Sequence, residues 1–296
     1  MPNKTLKIKL PLAEAKIKKR VKSSSPLGYY LKKAQKESWA IGQFNFSNLE
    51  TLQAIVQAGK NLKSPLIVGT SEGECRFFGP KKAVSLVSFF EKETGIPLFL
   101  NLDHGQSLDY IKEVIAAGYG AVHFDGSHLP LRENIEITKK VVAYARKKDV
   151  LVEGEVGVIG GKLTDPEEAQ KFIEETKVDT LAVNVGTIHG IRKSGKNPPI
   201  NLQKLKEIKK RVGNMPLVLH GGSGTPVEDV KSAIKLGIVK VNINTELRKA
   251  FTGTLKEFFK ENPEEITPYK YLPEAILNVQ KTVEEKIKLF GSVNKI

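Results

Sequence analysis

The chain has few of the residues that build covalent or membrane-spanning frameworks. Its 296 residues include one cysteine, one tryptophan and two methionines. The single cysteine, Cys75, excludes an internal disulfide and is typical of a reducing cytoplasm, where we expect this protein to reside. No apolar run approaches the ~20 residues of a membrane span, and no apolar signal-peptide core follows the basic N-terminus. We therefore expect a globular protein with no membrane partner.

Acidic residues are also scarce, with 33 against 47 basic residues and a net charge of +14. Half of that excess lies in residues 1–25, where eight lysines and arginines accompany one acid, Glu14. Such an arm can contact anionic surfaces or nucleic acid, but it lacks the aromatic residues that stack on bases. We interpret 1–25 as a solvated basic extension, expect no nucleic-acid partner, and assign 26–296 to a single domain.

From residue 26 onward, apolar strand-like runs alternate with segments of helical period. Eight runs have the continuous apolar character of strands covered on both faces: Ala40–Phe46, Pro65–Gly69, Pro97–Leu102, Ala121–Phe124, Val150–Val156, Thr180–Asn184, Pro216–Leu219 and Val239–Ile243. Helix-period segments lie near 48–62, 80–94, 107–117, 130–148, 165–176, 201–212 and 226–236, with another after Thr245. A doubly wound sheet gives the same alternation, but eight βα units over ~250 residues favour an α/β fold of the (β/α)8 TIM barrel type. A further helix is predicted at about 272–290.

Three of the five histidines stand where a predicted strand runs into a glycine-containing loop, and in such a barrel the chemistry lies at these strand ends. They are His104 after the third strand, His189 after the sixth and His220 after the seventh. Imidazoles from three separate strands suggest a catalytic zinc that keeps one coordination position open. The other two, His123 and His128, lack this context, and we interpret them as packing or metal-supporting residues.

Three carboxylates accompany these histidines. Asp103 cannot easily share a metal with its neighbour His104, because adjacent side chains diverge, so we expect it to face a substrate as a proton donor or acceptor. Glu153 and Glu155 alternate on one strand and therefore point to the same side. A carboxylate there can join the metal, orient a histidine or move a proton. Glu155, which is nearer the rim, is the better candidate for the metal.

Two loops predict a phosphate site. Gly221-Gly222-Ser223-Gly224 opens the helix after the seventh strand, and Asn242-Ile243-Asn244-Thr245 opens the helix after the eighth. Loops seven and eight of this fold commonly bind phosphate through backbone N–H groups, hydroxyls and helix N-termini. Zinc beside a phosphate site suggests a phosphorylated carbonyl substrate polarised by the metal.

Several of these motifs occur in one order along the chain: Leu102–Gly105, Phe124–Ser127, Val152–Gly157, Gly186–Gly190, Leu219–Gly224, Val241–Arg248 and the tail Leu289–Ser292. In this order they make residues 27–296 resemble the zinc-dependent class II ketose-bisphosphate aldolases. The resemblance implies that His104, His189 and His220 bind Zn²⁺, with Glu155 as an alternative ligand. It also implies that Asp103 handles the proton on the aldehyde-derived oxygen.

The same resemblance implies a set of substrate-binding residues. The ketose phosphate would be held by Gly190, Gly222, Ser223, Asn242 and Thr245, with a monovalent cation (K⁺ or Na⁺) nearby. Arg248 matches a position that reaches a second phosphate, and Asn45 and Ser71 match positions that line the substrate. Asn244 stands where fructose-bisphosphate members usually have Asp and tagatose-bisphosphate members often have Ala, so the sugar is left open.

A second departure concerns the base that removes the substrate proton. Family members carry an acid in a flexible loop after the Gly-Gly pair that is here Gly160-Gly161, and this chain has a shortened segment at that point. The segment offers Asp165, Glu167 and Glu168, but these acids also fit the first turn of a helix. The base therefore has no clear counterpart.

The leading functional prediction is a class II aldolase that cleaves fructose 1,6-bisphosphate to dihydroxyacetone phosphate and glyceraldehyde 3-phosphate in glycolysis and gluconeogenesis. The alternatives are an aldolase for tagatose 1,6-bisphosphate or another ketose phosphate, and a barrel that binds metal and sugar phosphate without turnover. The resemblance and the C-terminal helix suggest a homodimer or homotetramer.

Overall fold

The structure is a computed structural model that describes residues 26–195 and 197–296. The basic extension predicted at 1–25 lies outside the described residues. Eight strands follow one another along the chain: β1 (Ile41–Asn45), β2 (Leu66–Ser71), β3 (Leu98–Gly105), β4 (Ala121–Phe124), β5 (Leu151–Val156), β6 (Thr180–Val183), β7 (Leu217–Leu219) and β8 (Ile238–Ile243). Each strand pairs in parallel with the next, and β8 pairs with β1, so the sheet closes into a barrel. The predicted TIM barrel is confirmed.

Helices surround the barrel in the described part of the chain. They are α1 (Pro26–Glu37), α2 (Leu49–Leu62), α3 (Glu72–Phe78), α4 (Pro80–Thr94), α5 (Leu108–Ala117), α6 (Leu131–Ala145), α7 (Pro166–Thr176), α8 (Leu202–Val212), α9 (Val227–Lys235), α10 (Thr245–Glu261) and α11 (Pro268–Phe290). The additional C-terminal helix is α11, which buries Val279, Val283 and Ile287 on one face. None of the described helices is long and apolar enough to cross a membrane.

Two helices were not predicted. The helix α1 closes the N-terminal end of the barrel, where its Leu27 and Leu31 pack with Ile41, Ile67 and Val239 in one buried cluster. The short helix α3 begins directly after β2, inside a segment that carried no assignment. A seven-residue helix is too short to be recognised from its hydrophobic periodicity.

The middle of the barrel is polar although the strands look apolar in sequence. Asn101 Nδ2 donates to Gln43 Oε1 at 2.8 Å, and Lys240 Nζ lies 2.7 Å from Glu153 Oε2. The apolar residues of the same strands point outward and pack beneath the helices in the main hydrophobic cluster. The barrel therefore has an apolar floor against α1 and a polar interior that leads toward the C-terminal rim.

Candidate functional site

Most of the residues predicted for the site line one cavity of about 370 Å³ at the C-terminal ends of the strands. The residues that line it are Ser71, Asp103, His104, His189, Gly190, His220, Gly221, Ser223, Asn242, Asn244, Thr245 and Arg248. Of the predicted residues, Asn45, Gly222 and Glu155 do not line this cavity, and Gly221 is an addition.

At this rim, the His104 ring contacts the rings of both other predicted metal-binding histidines, but in the described residues only His104 and His220 belong to one group close enough to share a metal ion. The ring centroids are 4.7 Å apart for His104 and His220 and 5.0 Å apart for His104 and His189. The closest ring nitrogens are His104 Nε2 and His220 Nδ1, at 2.9 Å. His220 is fully buried, whereas His189 is exposed at the mouth.

A carboxylate holds the far side of two of these rings. Asp125 Oδ2 lies 2.7 Å from His104 Nδ1, and Glu153 Oε1 lies 2.8 Å from His220 Nε2. Each ring therefore turns its remaining nitrogen toward the other ring. Imidazoles that ligate metals are commonly held in this way, because the carboxylate fixes the orientation and the tautomer of the ring.

The backbone at the end of β3 aims His104 at the site. His104 has a φ of 51°, in the left-handed region that non-glycine residues rarely adopt. The β3–β4 register shifts between Leu102 and Gly105, and the His104 N–H donates to His123 Nδ1 at 3.1 Å. His123 thus supports the backbone of a neighbouring site residue, in agreement with the supporting role expected for it.

A metal ion fits the chemistry of these groups. Glu155 Oε2 is buried and forms no hydrogen bond within the described residues, although it lies 3.3 Å from His123 Nε2 and 3.9 Å from His220 Nδ1. A buried carboxylate oxygen without a hydrogen bond is costly, and a cation between it and the facing nitrogens of His104 and His220 would satisfy all three atoms. Nitrogen and carboxylate ligands with such spacing suit zinc.

The electrostatics of His104 also favour a cation. Burial lowers the pKa of the His104 imidazole, but the Asp103, Asp125 and Glu155 carboxylates outweigh it and raise the pKa to about 10. The raised pKa reports a strongly negative potential at the ring. A metal ligand must be a neutral imidazole, and a bound metal ion would supply the positive charge that a proton supplies otherwise.

Asp103 is an ionised carboxylate beside the candidate metal-binding group of His104, His220 and Glu155. Its side chain is buried, and it accepts from Asn45 Nδ2 and Asn242 Nδ2, both at 3.0 Å. Burial raises its pKa, but His104, His220 and Lys240 outweigh the burial and hold the pKa well below its usual value. Asp103 is therefore ionised at neutral pH, and its oxygens act as hydrogen-bond acceptors.

The phosphate side of the cavity depends on close backbone packing. Gly221 has a φ of 68°, and a Cβ added there would lie 2.4 Å from the Ile188 carbonyl oxygen. A Cβ on Gly222 would lie 2.6 Å from Val241 Cγ1, so this glycine lets the loop pack on β8. Ser223 lines the cavity, and α10 begins at Thr245 beside it, which directs a helix N-terminus at the cavity.

Sequence reasoning missed Glu74, the residue that connects the substrate-side groups. Its carboxylate accepts from the Ser71 N–H at 2.7 Å, from Asn45 Nδ2 at 3.0 Å and from Asn244 Nδ2 at 3.2 Å. Arg248 Nη2 pairs with it at 2.5 Å. The spacing Ser71-x-x-Glu74 is a capping-box signature, and it could have identified the start of α3 in the sequence.

The segment after Gly161 is a fixed turn that leads into α7. The Val158 N–H donates to the Lys162 carbonyl at 2.9 Å, and Asn184 Nδ2 donates to the Val158 carbonyl at 2.6 Å. Asp165 is the N-cap of α7 and accepts from two backbone N–H groups of its first turn. The structure thus supports the helix-start interpretation of these acids.

Comparison with known proteins agrees with this geometry. The family described as class-II fructose-bisphosphate aldolase matches residues 26–295. The 6-phospho-5-dehydro-2-deoxy-D-gluconate aldolase of Shouchella clausii (strain KSM-K16) is 42% identical over 282 residues, which cover 91% of this chain and 95% of that protein.

Solved structures agree as well. The YdjI aldolase of Escherichia coli K12 is 32% identical with a TM-score of 0.81, over 92% of this chain and 99% of that one. The fructose-bisphosphate aldolase of Campylobacter jejuni, at 22% identity, has a TM-score of 0.80 over 91% and 95% of the two chains and shows the fold alone. The family match extends over almost the whole barrel. The chain therefore belongs to the class II fructose-bisphosphate aldolase family.

Proposed function

We propose that this protein is a zinc-dependent aldolase that reversibly cleaves a ketose phosphate into dihydroxyacetone phosphate and an aldehyde. The observation that carries the proposal is a pair of imidazoles, His104 and His220, each held by a carboxylate on one ring nitrogen. Their other ring nitrogens face each other, close to a buried Glu155 oxygen that accepts no hydrogen bond within the described residues. This group shares one cavity with a glycine-rich loop and a helix N-terminus of the kind that binds phosphate.

We assign the metal to His104, His189 and His220, with Glu155 as the alternative ligand. Zinc in this position would act as a Lewis acid on the substrate ketone. Asp103, an ionised and buried carboxylate, takes the proton from the hydroxyl that becomes the aldehyde oxygen and returns it in the reverse direction. Asn45 and Asn242 keep the Asp103 oxygens in place from two sides.

The phosphate that remains on dihydroxyacetone phosphate binds at the loops after β6, β7 and β8. Its ligands in this proposal are Gly190, Gly222, Ser223, Asn242 and Thr245. Gly221 allows the close backbone approach that the loop needs, since no side chain fits there. A K⁺ or Na⁺ ion at the phosphate remains a prediction from the resemblance, as do the cytoplasmic location and the homodimer or homotetramer.

Three substrates are compatible with this reaction. Fructose 1,6-bisphosphate is the substrate predicted from the sequence, and its tagatose epimer is the first alternative. The name of the Shouchella clausii relative gives the third, 6-phospho-5-dehydro-2-deoxygluconate. Its ketone at C5 and phosphate at C6 mean that cleavage of the C3–C4 bond also releases dihydroxyacetone phosphate, together with a three-carbon aldehyde acid.

A coupled assay that reduces dihydroxyacetone phosphate tests the proposal. The zinc-loaded protein is expected to release it from at least one of the three substrates, and chelation is expected to abolish the release. Asp103→Asn should lower kcat by about 10²–10⁴-fold, which is the usual contribution of general acid–base catalysis. The matched control is Asp109→Asn, because Asp109 lies on the exposed start of α5. Equal turnover with and without divalent metal would refute the proposal.

A further inference from the structure

The buried carboxylate of Glu74 organises the end of the cavity where α3 and α10 begin. Glu74 is 7% exposed and contacts four of the residues predicted to bind substrate, namely Asn45, Ser71, Asn244 and Arg248. Through Asn45 it also connects to Asp103, because Asn45 Nδ2 donates to both carboxylates at 3.0 Å. This carboxylate is therefore built into the substrate site.

The charge at this end of the cavity is balanced before any substrate arrives. A second cavity of about 340 Å³ continues past the Glu74–Arg248 pair and shares Asn244 and Arg248 with the first. Arg248 is the only lysine or arginine among the described residues that line either cavity. Its guanidinium pairs with Glu74 through Nη2, so the Glu74 carboxylate already balances the one positive charge that a second phosphate would meet.

The residues that line the second cavity also disfavour a second phosphate. Phe77, Leu247 and Phe251 give it an apolar side, and Asn48, Thr51 and Thr252 offer uncharged hydrogen-bonding groups. A phosphate dianion placed here would meet apolar rings and an Arg248 guanidinium that is already paired with the Glu74 carboxylate. Like charges brought together in this way repel each other and weaken binding.

We propose that Glu74 is a specificity-determining residue that selects ketose monophosphates, in which the aldehyde half of the substrate carries no phosphate. The proposal rests on the proposed aldolase function and narrows its substrate class. It assigns the one phosphate of the substrate to the loops after β6, β7 and β8. The aldehyde half then extends past Asn244 toward the second cavity.

Binding of two unreactive analogues to the zinc-loaded protein tests this proposal. The analogues are hexitol 1-phosphate and hexitol 1,6-bisphosphate, the reduced forms of the two fructose phosphates, which differ only in the second phosphate and have no carbonyl to cleave. Calorimetric titration of the wild type should give a Kd for the monophosphate that is equal to or lower than that of the bisphosphate. In Glu74→Gln the ratio should move at least about tenfold toward the bisphosphate, which corresponds to ~1.4 kcal/mol.

The variant is chosen to keep the local fold. Glu74 is the N3 residue of the α3 capping box, and glutamine is also found at N3, so α3 should keep its start. Glu72→Gln removes a charge from the same helix turn at a residue that pairs with Arg76 instead of Arg248, and it is expected to leave the ratio within about twofold.

A wild-type preference of tenfold or more for the bisphosphate would overturn the proposal. An unchanged ratio in Glu74→Gln would overturn it equally. These outcomes are measured by binding alone. The proposed function is refuted by a different result, namely that no metal-dependent release of dihydroxyacetone phosphate is observed. The two failures are therefore distinguishable.

Discussion

The ion pair beneath the site, Lys240 with Glu153, gives the sharpest stability prediction. Both side chains are 4% exposed, and Lys240 Nζ lies 2.7 Å from Glu153 Oε2. The same carboxylate accepts from Thr180 Oγ1 at 3.2 Å and contacts His220 Nε2 at 2.8 Å. Lys240→Met removes the lysine ammonium group from this set of contacts, so the Glu153 carboxylate remains buried in the barrel without its cationic partner.

The expected cost follows from the burial of the pair. Removal of one partner of a buried pair costs about 3–5 kcal/mol, because an uncompensated charge remains inside the protein. Replacement of both partners is far less costly. The double variant Lys240→Met/Glu153→Gln keeps an oxygen acceptor for His220, and we expect it to recover about 1–3 kcal/mol of the single variant's loss.

Equilibrium unfolding in urea measures this difference. The protein is kept free of metal so that ligand binding adds nothing to the free energy of unfolding, and the fluorescence of Trp39, the chain's only tryptophan, reports the barrel floor. Arg211→Met is the control, because the Arg211–Glu167 pair is exposed and worth about 0–1 kcal/mol. A Lys240→Met loss no larger than that control, or a double variant less stable than the single, would refute the reasoning.

Further predictions concern pH, metal affinity, the sugar site and the loop. Burial raises the pKa of Glu153, but Lys240 and His220 outweigh it and hold the pKa well below 4.5 in the folded protein. The ionised Glu153 should therefore contribute its full stabilisation above about pH 4.5 and lose it as the pH falls further. In Lys240→Met, the urea midpoint should depend less on pH. Asp125→Asn should weaken zinc binding about 10–100-fold in competition with a chelator, because it releases His104 Nδ1. Asn244→Asp should lower kcat/KM for every substrate by placing a second carboxylate beside Glu74, and Glu74→Gln should restore part of it. Asp165→Asn should leave the solvent exchange of the substrate proton within about twofold, since asparagine caps helices as well as aspartate does.

The sequence was sufficient for the parts of the molecule that depend on local pattern. Each of the eight strands was predicted within three residues at either end, because buried parallel strands are short apolar runs bounded by turn residues. Asp103, His104 and His220 could be assigned to one rim because the fold brings the ends of all eight strands together. The helix α1 was missed because it follows directly on a basic segment without a clear pattern.

Other parts depend on contacts between residues far apart in sequence. Lys240 lies in the middle of a strand, and its partner Glu153 precedes it by 87 residues on the opposite part of the barrel. Glu74 and Arg248 are 174 residues apart, and only the closed barrel places them together. The left-handed backbone of His104 arises from the irregular β3–β4 pairing, which leaves no mark in the sequence.

The most direct test of the aldolase account is the exchange of the dihydroxyacetone phosphate C–H proton with deuterated water as zinc is added back to metal-free protein. This half-reaction needs no aldehyde, so its outcome does not depend on which ketose phosphate is the substrate. The account predicts no exchange above background without metal and a rate that rises in proportion to bound zinc up to one ion per chain. Exchange in the metal-free protein, or its absence at one zinc per chain, would contradict the account.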